Sequence, residues 1–126
     1  MAAIKAYTDI EQSKKLAEIL PLESADMYWW SSGKRYYIEA MDDGDFNEKE
    51  GHVRAWSLAA LLNVLPKKYY PIKDHETGLI LGKPKDKWCA LYWDATGMQD
   101  GEQTLADNPV DACVEMLLKL HELNLL

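Results

Sequence analysis

The chain has 126 residues, 48% of them hydrophobic, with 21 acidic against 14 basic side chains and a net charge of −7. A chain of this length buries about two-thirds of the surface it exposes when unfolded, which excludes intrinsic disorder and removes any need for a metal or disulfides as staples. The acidic balance excludes the broad basic face that direct nucleic-acid binding demands.

The charge is uneven: residues 39–50 sum to −5, residues 88–126 to −6 and residues 67–87 to +3. Cys89 and Cys113 are the only cysteines, a usage that predicts reduced thiols and a cytoplasmic protein. Residues 1–15 hold neither the apolar segment of a signal peptide nor an Arg-rich presequence. Every apolar run, Leu58–Leu62 included, falls far short of the roughly 20 residues that span a bilayer, so no membrane is expected.

A first helix is predicted over Asp9–Leu20, with Thr8 and Glu11 as a capping box, Ile10, Leu16, Ala17, Ile19 and Leu20 on the apolar side, and Pro21 as terminator. Met27–Trp30 and Arg35–Ala40 are rich in aromatic and β-branched residues and flank Ser31-Ser32-Gly33, the pattern of a hairpin. Met41–Gly51 is so dense in Asp, Gly, Asn and Glu that it reads as a loop. Ser57 is the expected N-cap of a second helix, whose Leu58, Leu61, Leu62 and Leu65 fall at i, i+3, i+4 and i+7, with Trp56 placed to staple onto Leu61.

Lys67–Thr77, broken by Pro71, reads as irregular. Leu79–Leu81 and Trp88–Trp93 predict a second hairpin around a Lys-rich turn, and Asp94–Asp107 another loop. The last helix has the plainest start: Asn108 as N-cap, Pro109 at the first helical position and Asp111 complementing the dipole. Val110, Cys113, Val114, Leu117, Leu118 and Leu120 form its inward stripe. The order α-β-β-α-β-β-α predicts a single two-layer α+β domain, an antiparallel sheet of about four strands with three helices mainly on one face.

No catalytic residue, cofactor site or metal site is expected. Cys113 and His121 share a helix, but eight residues separate them by about 12 Å, too far for proton transfer. His52, His75 and His121 have no metal-ligand spacing. A calcium loop beginning at Asp43 would need Gly at Glu48 and Glu at Arg54. Gly78–Lys83 lacks the spacing of a phosphate loop.

What stands out is aromatic content: five Trp and seven Tyr against one Phe. Tyr and Trp are preferred where one end of a ring stays wet, as at binding surfaces. Strand alternation, with Cys89, Leu91 and Trp93 taken as inward, leaves Trp88 and Tyr92 on the other face; with Tyr36, Ile38 and Ala40 inward, it leaves Tyr37 and Glu39. Trp30, Tyr37, Trp88 and Tyr92 are therefore the candidate binding surface, unless the loops at 41–56 and 94–107 fold over it.

Trp56–Pro66 and Asn108–Leu117, together with Tyr7–Asp26, resemble a group of small, functionally uncharacterised α+β proteins encoded by gut bacteria and their phages or prophages. The resemblance covers most of the chain outside the acidic loop and the Lys-rich hairpin. It implies an intracellular setting and a mobile-element origin, and carries no site residues across.

The function expected is a non-enzymatic module that binds a protein partner, or self-associates as a homodimer, through the aromatic face. One alternative is a binder of, or enzyme acting on, a sugar or nucleobase, with Glu39, Asp94 or His75 beside the rings. Another is an acidic nucleic-acid mimic.

Overall fold

The fold is that of a computed structural model, which describes residues 5–41, 45–66, 77–94 and 100–126. It is α+β, but its strands form two separate three-stranded antiparallel sheets instead of one sheet of four. In chain order the elements are α1 (Ile10–Ala17), β1 (Met27–Ser32), β2 (Arg35–Ala40), β3 (Val53–Ala55), α2 (Leu58–Val64), β4 (Thr77–Gly82), β5 (Trp88–Asp94), β6 (Asp100–Ala106) and α3 (Pro109–Glu122). The sheet orders are β2-β1-β3 and β4-β5-β6.

The extra strands, β3 and β6, lie within segments expected to be loops. Both are edges. An edge strand makes one ladder only, so three residues suffice for β3 and the polar run Asp100–Thr104 suffices for β6.

The cap of α1 is shifted by one residue from expectation. Asp9, not Thr8, is the N-cap: its carboxylate accepts from the Gln12 backbone N–H at 2.8 Å, and the Gln12 side chain accepts from the Asp9 N–H at 3.1 Å. Thr8 is fully buried, its hydroxyl accepting from the Trp56 N–H at 3.1 Å and bonded to the Ser13 hydroxyl at 2.7 Å. The helix also stops at Ala17, short of Leu20. The Arg54 guanidinium donates to the carbonyls of Ala17 (3.0 Å) and Leu20 (3.2 Å), groups near the helix end that have no backbone donor four residues on to serve them.

The other helix starts are as the sequence predicts. Ser57 Oγ accepts from the Ala60 N–H, and the Asp26 carboxylate accepts from both the Ser57 N–H and its hydroxyl, fixing the start of α2 to the entry of β1. Asn108 Oδ1 accepts from the Asp111 N–H at 2.8 Å, with Pro109 at the first turn. At the far end of α3, Asn124 takes a left-handed φ of 59° while Leu125 N–H donates to the Leu120 carbonyl at 2.8 Å, the bond pattern of a helix stop usually built with glycine.

One buried cluster draws on Leu16 and Leu20 from α1 and its C-terminal turn, Trp56, Leu61 and Leu65 around α2, Ala90 and Tyr92 from β5, and the inner stripe of α3. Trp56 and Leu61 are both fully buried, as the staple requires. α3 packs on β5 and β6, α1 packs on β3, and α3 meets both α1 and α2. The first sheet's helix α1 and the second sheet's helix α3 thus meet each other, with α2 packed on α3. The N-termini of α1 and α3 are joined through Asp111, whose carboxylate accepts from Lys5 Nζ, Gln12 Nε2 and Asn108 Nδ2, each at 2.7 Å. Burial alone would raise the Asp111 pKa, but these three donors outweigh it and hold the carboxyl below the usual range.

Candidate functional site

The four aromatic residues read from the sequence do not share a surface. Trp30 and Tyr37 belong to the first sheet, Trp88 and Tyr92 to the second. Tyr92 is fully buried with Ala90, and its hydroxyl donates to the Pro66 carbonyl at 2.6 Å. Trp88 packs against the same core. The facing expected for β5 is therefore inverted: Trp88, Ala90 and Tyr92 look towards α3. Cys89 and Leu91 point the other way, where they line an apolar depression of about 340 Å³ with Ile80, Gly82, Lys83 and Pro84. Both faces of β5 are apolar, and the helix that covers one of them decides which is the core.

Trp30 and Tyr37 are brought together. They sit directly opposite each other across β1 and β2, rings 4.7 Å apart and within 25° of parallel. Trp30 is half-buried and Tyr37 is 42% exposed. The Trp30 indole N–H is buried and meets no acceptor among the described residues.

On the same face, one pair along the ladder, Tyr28 stands opposite Glu39. Tyr28 is buried: His52 stacks on it at 5.1 Å, Phe46 meets it edge-on at 5.8 Å, and its hydroxyl donates to Glu39 at 3.2 Å. Glu48 lies 3.4 Å from the Arg54 guanidinium, tying the 3₁₀ turn Glu48–Glu50 to β3. The described end of the acidic loop thus covers the Tyr28 end of this face and leaves Trp30 and Tyr37 at the open end.

The opposite face of the hairpin looks towards α1. Trp29 meets the Tyr7 ring at 5.6 Å, and its indole N–H donates to the Thr8 carbonyl at 3.0 Å. Beside it Asp9, Ile10, Glu11, Trp29 and Tyr36 border an open depression of about 480 Å³. Its polar groups do not converge, because Asp9 is engaged by Lys5 at 3.0 Å and by the helix cap.

The sequence predicts the strand Arg35–Ala40, β2, but not its exposure along most of its length. Five of its six residues are exposed, including Tyr36 at 49%, and among the described residues β1 is its only strand neighbour. The exposure of a strand on both faces depends on what packs over each face, which composition does not encode.

The groups considered for chemistry stay apart. Cys113 is fully buried, and burial pushes its thiol up to about 11, the reverse of an activated thiolate. Burial also raises the Cys89 thiol. Among the described residues, no three His, Cys, Asp or Glu side chains gather as metal ligands would, and no helix is long and apolar enough to cross a membrane. His75 lies outside the described residues, and Asp94 ends β5 in the sheet that does not contain Glu39. Compared with protein-family models, curated proteins and solved structures, the chain matches none of them.

Proposed function

We propose that this chain is a non-enzymatic protein-interaction module whose contact surface is the open end of the β1–β2 hairpin, centred on Trp30 and Tyr37. The observation that carries the reading is the stacked, part-exposed Trp30–Tyr37 pair on a strand exposed along most of its length and, among the described residues, without a neighbour on one edge. Large aromatic rings gain most from being covered, and a sheet edge supplies directional backbone bonds to whatever covers them.

A sugar or nucleobase site has weaker support, since the depression beside Trp29 and Tyr36 has one of its two carboxylates, Asp9, and its indole N–H already engaged. A nucleic-acid mimic needs a free stripe of carboxylates. Asp9, Glu48, Asp107 and Asp111 each face a basic side chain instead.

The test is site-specific photo-crosslinking in cells expressing the chain, with a photoreactive amino acid at Tyr37 and, as control, at the exposed Leu123 of the C-terminal turn. Protein adducts at Tyr37 and none at Leu123 are expected. Adducts at neither position, or equally at both, would refute the reading.

A further inference from the structure

We infer that the partner of β2 is a second copy of the same strand, paired antiparallel about a two-fold axis through Tyr37. The inference rests on the reading of the hairpin as a contact surface and names its occupant.

β2 has the properties that natural monomers avoid at an edge. It is six residues long, pairs with β1 without a register break, and contains no Pro and no bulge. The protection it retains is charge: Arg35 near one end and Glu39 near the other, both exposed. They are opposite in sign and equidistant from Tyr37. On a strand that meets its own copy antiparallel, that arrangement is not repulsive. It is self-complementary.

The backbone decides which registers are open. Gly33 (φ 64°) and Lys34 form a two-residue loop that closes on the Ser32/Arg35 pair, and such a turn directs the Arg35 N–H back to Ser32. At the far end of the ladder, Met41 N–H donates to the Asp26 carbonyl at 2.9 Å. Residues 35, 37, 39 and 41 therefore bond inward to the β1 side. By the alternation of antiparallel ladders, Tyr36, Ile38 and Ala40 turn their N–H and C=O groups to the open edge.

A second copy can bond only where outward residues meet outward residues. A two-fold axis at Tyr37 sets Tyr36 against Ile38 of the second copy and the reverse, giving two hydrogen-bonded pairs. It sets Arg35 against Glu39 of the second copy, also twice, and Tyr37 against its own copy in the closer, non-hydrogen-bonded position. An axis at Tyr36 places Arg35 opposite Tyr37, and one at Ile38 places it opposite Met41. Neither matches charge. The Tyr37 register also lengthens the existing Trp30–Tyr37 stack into a row of four rings, and joins two sheets into one of six strands, β3-β1-β2-β2-β1-β3.

The test uses the intact chain in sedimentation equilibrium from low micromolar to near-millimolar concentration. Wild type should pass from monomer to dimer. R35E and E39R each put like charges opposite at two symmetric sites and should weaken the dimer about tenfold or more. Both positions are exposed, but E39R also removes the carboxylate to which the Tyr28 hydroxyl donates. Retention of a cooperative thermal transition, at whatever midpoint, will therefore show that each variant is folded, and the double variant controls for that lost bond.

The decisive step is mixing. R35E carries two acids on its edge strand and E39R two bases, so an equimolar mixture should form a one-to-one heterodimer, and the double variant R35E/E39R should recover wild-type association. A monomer at every concentration, or a dimer indifferent to R35E, would overturn the inference. So would failure of the two single variants to combine. Adducts at Tyr37 to a different protein, with the chain strictly monomeric, would overturn self-pairing while sparing the hairpin as a contact surface; no adduct at Tyr37 would remove both.

Discussion

Tyr92 separates a core aromatic from a surface one, and its hydroxyl gives a clean measurement. Tyr92→Phe keeps the ring and deletes the bond its hydroxyl donates to the Pro66 carbonyl at 2.6 Å. Removing a buried donor exposes its partner's desolvation penalty, about 1–3 kcal/mol; because Pro66 is only half-buried, water recovers part of it, and about 1–2 kcal/mol is expected. For a chain of this length that lowers Tm by roughly 3–10 °C. Tyr92→Ala adds a cavity in a site with no exposure, and should cost about 3–5 kcal/mol. Tyr37→Ala loses only a part-exposed stack, about 0.5–1.5 kcal/mol. Urea unfolding with the slope held common to all three variants reads the differences directly. Equal costs for Tyr37→Ala and Tyr92→Ala would refute the placement of β5 with Tyr92 against α3.

Thr8→Val removes the acceptor of the Trp56 N–H and the partner of the Ser13 hydroxyl in a fully buried site, and should cost about 1–3 kcal/mol in urea unfolding. Asp111→Asn tests the junction of α1 and α3. The carboxyl is held below its ordinary range, so its stabilisation is present above about pH 4 and lost as pH falls through the lower folded value. At neutral pH the variant should lose about 1 kcal/mol, because Lys5 and Asp111 are partly exposed to solvent, and its acid unfolding limb should be flatter. Cys113 gives the opposite limb. Its folded thiol titrates at about 11, above that of the unfolded chain, so the folded state retains a proton the unfolded state has lost, and stability falls as pH rises through that window. Cys113→Ala should flatten the fall, and a thiol reagent should modify Cys113 in the native protein only at the rate of unfolding.

The parts of the fold legible in the sequence are those whose chemistry is local. Ser57 and Asn108 cap the helices they were expected to cap, because a cap is a bond between residues three apart. Thr8 fails as a cap for a non-local reason. Asp9 with Gln12 satisfies the same pattern one residue later, and the Thr8 hydroxyl is claimed by Trp56, 48 positions along the chain. β3 and β6 escaped notice because an edge strand need not show the apolar alternation of a central one. The facing of β5 was undecidable from alternation alone, since Cys89 and Leu91 are as apolar as Ala90 and Tyr92, and only the position of α3 separates them.

The same distinction governs the candidate site. Trp30 and Tyr37 were identifiable as strand aromatics, and their contact follows from the register that the two-residue turn imposes. Trp88 and Tyr92 were chosen by the identical composition signal and lie in the core. Trp and Tyr mark rings with a polar atom to satisfy, and a buried carbonyl such as that of Pro66 satisfies it as well as water does. Arg35 and Glu39 make the complementary point. On a central strand, flanked on both sides, they would be two solvated charges with no information in their spacing. On β2, with one backbone edge open and that edge carried by the even-numbered residues, the same spacing selects one register out of three. Sequence supplies the charges, but only the sheet order gives their spacing a meaning for the self-pairing we propose.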